Sequence, residues 1–422
     1  MIITVLLLLL QTKQHKMVNF SSTSEEYLIP VAMDNTGQDK LCIYDLTMDQ
    51  EELCDILVRW IETYGVLIVS IFGLVFNFLA IILFSHKNIK RSFFNHLLIC
   101  LVIVDILYLI NSIIDSWIMA YPTFESIAVF FFISRPIRDV LLCCTIYMVV
   151  MLAYERHTVF SKLTSNTNGN GWKKELLKQI GLLILFSVLY KLPIIGEFKI
   201  ETILSNSTWT YGISMIEKIS TNHDGASIRT RIVASTTREN YYYILLYRTL
   251  CDVIVTGITP LLLLVYFNYK IYIGKRVFIQ RRRTIKQRSI HREPTSKIDK
   301  DVKIEKGPTI TLFVIVIMFV VCHISRIVMR IAEMIYHHSK FKEELKEHCR
   351  VTDPYWILIL TPFSELLLRV NSSANFFIYW ALNDSFRGVM YGYIFKLLRM
   401  CGVKLSNNQH NSIQIISNDR CR

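Results

Sequence analysis

Seven long hydrophobic stretches, near residues 64–85, 94–117, 128–154, 176–196, 241–269, 308–332 and 355–382, constrain this chain more than any other feature. Tyr64 to Ser85 holds no charged residue over 22 positions, enough helix to cross a bilayer core of roughly 30 Å. In lipid every backbone N–H and C=O must be satisfied within its own segment, so stretches of this length are expected as helices. The fourth is the weakest, because Lys191 interrupts it and Pro193 follows. Hydrophobic residues make up 52% of the 422, above the usual soluble composition. The expected fold class is an all-α membrane protein. It is a seven-transmembrane helix bundle with a short amphipathic helix on the membrane surface after the seventh span.

Charge orients the bundle. Lys87, Lys90 and Arg91 follow the first span, whereas residues 18–63 carry ten acids but only Lys40 and Arg59. Residues 270–307 hold 13 Lys or Arg against four acids. By the positive-inside bias the N-terminus lies outside and, after seven crossings, the C-terminus inside. The net charge of +13 follows from this bias and from attraction to anionic inner-leaflet lipid, with no nucleic-acid partner required. The expected organisation is an extracellular segment over 1–62, a membrane domain over 63–383, an amphipathic helix over 384–401 and a cytoplasmic tail over 402–422. Ile2 to Leu10 resemble a signal-peptide core but lack a preceding basic residue. Residues 1–16 are therefore either a weak signal peptide or lie ahead of a start at Met17. Among the Asn-x-Ser/Thr sites, Asn19 and Asn206 fall outside and are candidates for glycans; Asn371 and Asn383 do not.

Ten cysteines show no zinc-like spacing. Cys100, Cys143, Cys144, Cys251 and Cys322 sit within spans, where a thiol packs as a small hydrophobe. Cys42, Cys54 and Cys349 face the oxidising side and allow one bridge, in three ways. Cys401 follows an apolar stripe of Phe386, Met390, Tyr393 and Leu397, and is a palmitoylation candidate. Such a stripe is expected to anchor its helix to the membrane surface.

Polar residues inside apolar helices are costly and mark internal cavities or moving parts. Asn77 stands alone in the first span and Asp105 in the second, and Glu155-Arg156-His157 closes the third. The last span carries Asn371, Asn375 and Tyr379 at intervals of four, on one helix face. Charges also gather in the outer halves of the spans: Arg138 and Asp139 on the third, Arg248 and Asp252 on the fifth. Arg326, Arg330 and Glu333 lie on the sixth, Glu365 and Arg369 on the seventh. Spacing permits local pairing of Arg248 with Asp252, Arg330 with Glu333, and Glu365 with Arg369. The collection as a whole implies a wet, polar vestibule suited to a peptide or another charged ligand. His323 completes this set of candidate ligand-pocket residues. No hydrolytic or metal-binding constellation lines the spans, so enzymatic activity is not expected. No repeat links the two halves, as a transporter or channel would commonly show.

These residues carry a resemblance to the rhodopsin-like (class A) family of G-protein-coupled receptors over about residues 63–400. Asn77, Asp105, Glu155-Arg156-His157, Pro260, Phe319-Val-Val-Cys322 and Asn375-Phe-Phe-Ile-Tyr379 fall in the family's order and spacing. Leu189-Tyr-Lys-Leu-Pro193 with Glu197, Arg238-Glu-Asn-Tyr-Tyr-Tyr243 and Val321-Cys-His-Ile-Ser-Arg326 resemble invertebrate FMRFamide-like peptide receptors.

The resemblance implies a receptor for an extracellular peptide or small-molecule ligand that activates a heterotrimeric G protein. Arg156 would be held by Glu155 when inactive and meet the G protein when active, with Glu305 as a second restraining acid. Pro308 weighs against a helical Glu305. Asp105, Thr145, Asn371, Ser372 and Asn375, with Asn77 nearby, resemble an oxygen-rich sodium pocket; a hydrogen-bonded polar cluster without an ion fits them equally.

The chain also departs from the family pattern. Phe376 replaces a proline, His323 a tryptophan and Ser325 another proline. Phe131 stands where the third span should offer a cysteine, and residues 197–240 contain none, so the family's usual outer bridge cannot form. Arg138 stands where amine receptors of the family place an aspartate. Arg369 stands where light-sensing members carry a lysine, and a guanidinium does not form a Schiff base, so covalent retinal is not expected. An Arg-Phe-amide ligand would need an acid, with Glu365, Asp252, Asp139 and Glu333 as candidates. A chemosensory receptor for a small molecule is the alternative, and a transporter or channel a remote one.

Overall fold

A computed structural model of the chain describes residues 53, 56–86, 93–121, 123–162, 172–204, 214–221, 227–240, 242–288, 310–332, 335 and 355–400. Asn19, Asn206, Glu305, Glu333 and Cys401 lie outside the described residues, as do Cys42, Cys54, Cys349 and the 402–422 tail. Six helices are long and apolar enough to cross a membrane. They are α1 (Ile56–Phe84), α2 (Phe93–Ala120), α3 (Phe124–Thr158), α4 (Lys174–Glu197), α5 (Tyr243–Gly274) and α6 (Ile310–Ala332). They make the chain a multi-pass membrane protein. A further helix, α7 (Tyr355–Leu382), is 28 residues long and so spans about 42 Å, but it is not among the six. Glu365, Arg369, Asn371, Ser372, Ser373 and Asn375 dilute its apolar character. A last helix, α8, runs from Asp384 to Met400.

The helices are apolar outward and mixed inward, as lipid-facing helices must be. Along α1, Ser70, Gly73, Asn77 and Ala80 are buried at helical spacing, while Phe72, Val75, Phe78 and Ile82 stay about half exposed. The centre belongs to α2 and α3, where Leu97, Leu101, Tyr108, Ile146, Met148 and Leu152 are fully buried. Two glycines mark close helix approaches. A Cβ on Gly73 would collide with Ser373 of α7 and come within 2.8 Å of Leu109 of α2. A Cβ on Gly257 would meet Ile327 of α6 at 2.9 Å.

The fourth span, weakest in the sequence, is helical and is one of the six. Its α-helical part ends at Lys191, and Leu192–Glu197 tightens into a 3₁₀ turn with Pro193 near its start, where the missing N–H costs least. The described residues between Phe198 and Ala234 build an antiparallel sheet. Its strands β1 (Phe198–Leu204), β2 (Ser214–Thr221) and β3 (Ser227–Ala234) lie in the order β1-β3-β2. The register sets Phe198 opposite Ala234, and Arg231 between Glu201 and Glu217. From Ser227 to Ile232 the central strand β3 alternates polar with β-branched residues, the period-two pattern of a strand.

The expectation for α8 needs one correction. Phe386, placed on a membrane-facing stripe, is fully buried in the bundle. Its ring lies 5.1 Å from that of Phe84 and 5.6 Å from that of Phe376, so the first turn of α8 packs against α1 and α7. Tyr393 on the same stripe remains exposed and lies 5.7 Å from His86.

Candidate functional site

Polar groups form a column through the middle of the bundle. Asp105 of α2 is fully buried and accepts a 2.6 Å hydrogen bond from Asn375 Nδ2 of α7, with a long 3.5 Å contact from Thr145 Oγ1 of α3. Asn77 Nδ2 of α1 donates to the Ser372 carbonyl of α7 at 3.0 Å. Two helices, α1 and α2, thus meet α7 through polar groups at one level, α3 joins them through Asp105, and Asn371 is buried beside them in the chain. Ser372 is also in hydrogen-bonding reach of Asp105, and three bonds still leave the carboxylate an acceptor site to spare. The Asn77 side-chain oxygen is buried without a hydrogen-bond partner among the described residues.

At one end of the column stands Arg156. Its Nε lies 3.7 Å from Glu155 Oε2, and its guanidinium carbon sits 3.7 Å from the centroid of the Phe94 ring. A planar cation over an aromatic face gains electrostatic attraction that its neighbouring carboxylate does not replace. His157 packs against Phe267 of α5, rings 5.8 Å apart. Tyr379 is wholly buried against Phe84 and Phe386, and its hydroxyl has no hydrogen-bond partner among the described residues. Phe376, in place of the proline the family pattern carries, stacks on Phe76 at 5.1 Å, and α7 runs helical through to Leu382.

The other end is heavily charged, and its pairing differs from what spacing suggests. Arg248 and Asp252 do not pair with each other. Arg248 binds both carboxylate oxygens of Glu197, while Asp252 meets Lys191 of α4 and Arg326 of α6, the latter at 3.4 Å. Glu197 takes up Arg248, and α4 and α6 bring Lys191 and Arg326 to Asp252 in its place. Glu365 and Arg369 pair as spacing predicts, at 2.5 Å. Arg138 pairs with Asp115 of α2 at 3.1 Å and lies 3.8 Å from Asp139. Asp115 also accepts from Ser134, and Asn111 donates to the Ser134 carbonyl at 3.2 Å. Asp115 escaped the sequence reading because it lies near the C-terminal end of α2, where a charge needs no special account.

Glu197 is the most connected acid of this region. It is fully buried and faces three arginines: Arg248, Arg238 at 3.0 Å and Arg135 at 3.6 Å. Tyr243 Oη adds a hydrogen bond at 3.1 Å. Burial, and then the charge of Arg248, lower the pKa of Arg238; the shared carboxylate opposes them. Next in the chain, Phe198 packs on Phe131 of α3 with ring centres 4.2 Å apart, and Arg238 and Arg135 lie 4.6 and 5.6 Å from its ring centre. The start of α3 and the start of the sheet are thus joined by the Phe131–Phe198 ring contact and the Arg135–Glu197 ion pair.

A cleft between α5 and α6 is lined by Asp252, Thr256, His323, Arg326, Ile327 and Arg330. His323 stacks on Phe319, rings 4.0 Å apart, and is 4% exposed. Its Nε2 has no hydrogen-bond partner among the described residues, and neither do Arg326 Nε and Nη1.

No protein-family model matches the chain, and no curated protein sequence matches it. Among solved structures it is similar to squid rhodopsin, with a TM-score of 0.58 at 13% sequence identity, covering 93% of this chain and 98% of that one. At that identity the likeness speaks for the fold alone: this chain folds as a rhodopsin-like helix bundle.

Proposed function

We propose that the chain is a seven-helix plasma-membrane receptor, N-terminus outside and C-terminus inside, that binds an extracellular ligand and activates a heterotrimeric G protein. The ligand favoured by the sequence resemblance is an amidated peptide of FMRFamide-like type. The observation that carries the receptor reading is the polar column that ties α7 to α1, α2 and α3 through Asp105, Asn375 and Asn77, with a charged vestibule at one end and Glu155-Arg156 at the other. Such a bundle has a part that a ligand biases and a part that a cytoplasmic partner reads. In this reading α7 crosses the membrane and α8 lies along its inner face.

Asp105, Thr145, Asn371, Ser372, Asn375 and Asn77 would hold a sodium ion, a hard cation suited to their oxygens. The spare acceptor capacity of Asp105 and the unpartnered Asn77 oxygen support that fit.

One observation favours the second reading, a chemosensory receptor for a small molecule. Each described acid that an Arg-Phe-amide arginine would seek already has a cation: Asp139 has Arg138, Asp252 has Lys191 and Arg326, and Glu365 has Arg369.

A second-messenger assay in cells expressing the chain with a promiscuous G protein, against a panel of amidated peptides, tests the proposal, with Arg156→Ala as control. A response lost in the surface-expressed control supports the peptide receptor. Silence at confirmed surface expression counts against the peptide ligand, and responses to small acids alone would favour the second reading.

A further inference from the structure

We propose that the α5–α6 cleft is a carboxylate subsite: Arg326 and His323 bind an acidic group of the ligand, in competition with Asp252. This deepens the receptor reading and rests on it for the word ligand.

Arg326 is 8% exposed yet uses only Nη2, in a 3.4 Å contact with Asp252 Oδ2. Its Nε and Nη1 are buried without acceptors among the described residues, and His323 Nε2 opens on the same cleft in the same state. Buried donors left without partners cost about 1–3 kcal/mol each, so a visiting acceptor recovers that energy. Nε and Nη1 lie on opposite sides of Nη2, so a carboxylate that displaces Asp252 from Nη2 gains a two-N–H edge with either of them, in bidentate geometry. His323 Nε2 adds a third donor in the tautomer that carries its proton there.

Asp252 does not fill this need. Lys191 holds one of its oxygens and Arg326 reaches the other at long range. Arg330 also lines the cleft, so cations outnumber acids around it. A cationic ligand group would meet Arg326, Arg330 and Lys191 before reaching Asp252. The cleft has free space for about one water-sized group, so the carboxylate enters by displacing the Asp252 contact and the rest of the ligand lies elsewhere in the vestibule. The carboxylate can belong to a small acid or to an acidic side chain on a peptide.

The test uses the full chain purified in lipid nanodiscs, with thermal unfolding midpoint as readout at constant ionic strength. The probes are formate, benzoate and 4-phenylbutyrate, each against its neutral amide. An Asp-containing amidated peptide is compared with its Asn analogue. The acids are expected to raise the midpoint, the amides not, and Arg326→Gln to weaken half-saturation at least about tenfold, the worth of one lost charge-assisted pair. Asp252→Asn frees Arg326 and is expected to tighten acid binding, which keeps the proposal testable should Arg326→Gln fail to fold. Equal effects of acids and amides, no effect of any acid, or unchanged binding in both variants would overturn it. A peptide effect without a small-acid effect places the carboxylate on a peptide; the reverse places it on a small molecule. Because no G protein takes part, acid binding in a chain that never signals would sink the receptor reading and leave the subsite standing.

Discussion

Glu197 has the largest single effect expected of any side chain here, because it pairs with Arg135, Arg238 and Arg248 in a buried setting. Glu197→Gln keeps the shape and removes the charge, leaving three arginines to repel one another. Removing one partner of a buried ion pair costs roughly 3–5 kcal/mol, and the partial exposure of Arg238 and Arg248 points to the lower end. The thermal midpoint of the detergent-purified variant should fall by several degrees, further than for Arg238→Ala; an unchanged midpoint would show that the rings of Phe131 and Phe198 suffice. Asp105 makes a different prediction. If its free acceptor capacity meets sodium, replacing potassium by sodium should raise the midpoint of the wild-type chain, and Asp105→Asn should abolish that difference. Much of this was legible in the sequence: Asn77 and Asp105 stand out as lone polar residues in apolar runs, Arg156 in the charged triplet that closes the third span, and Asn375 on the polar face of the last. The partners of Asp252 and Glu197 were not legible, because spacing reveals neighbours on one helix, whereas Asp252 is met from α4 and α6, and Glu197 from α3, α5 and Arg238.

Helices pack here by letting small residues bring backbones together, and Gly73 is the sharpest instance. An alanine there drives its Cβ into Ser373, whose hydroxyl already bonds to Val69 O at 3.1 Å and Arg369 O at 2.8 Å and has little freedom to yield. Gly73→Ala should destabilise the α1–α7 contact by about 1–3 kcal/mol, as overpacking does. Gly181 in α4 has nothing within 4 Å of its built Cβ, so Gly181→Ala should leave stability unchanged or raise it by up to about 1 kcal/mol. Parallel thermal melts of both variants check this, and equal effects would refute the packing argument. The apolar runs announced six spanning helices well, since length and hydrophobicity are local properties. The outer sheet was hidden by the polarity of its strands, whose period of two is short and interrupted by turns. The burial of Phe386 was hidden because a stripe at helical spacing looks the same whether it meets lipid or protein.

The orientation of the bundle in the membrane rests on charge alone, and it yields the most direct test of the whole reading. Thirteen basic residues between 270 and 307 are costly to translocate, and the helix carrying the first of them extends the fifth span to Arg288. If that end is cytoplasmic, the turn between α4 and α5, with its sheet and Asn206, lies outside, as does Asn19. Asn383, directly after α7, lies inside and meets no glycosyl transferase. Digestion of the cell-expressed chain with a peptide N-glycosidase should then increase its mobility. Asn19→Gln combined with Asn206→Gln should remove the shift, and Asn383→Gln should not. A C-terminal epitope should become accessible to antibody only after permeabilisation. A shift that survives the double variant and is lost with Asn383→Gln would turn the bundle over. The Glu155-Arg156 end would then face outward, where no G protein could read it, and the receptor proposal would fall with the topology.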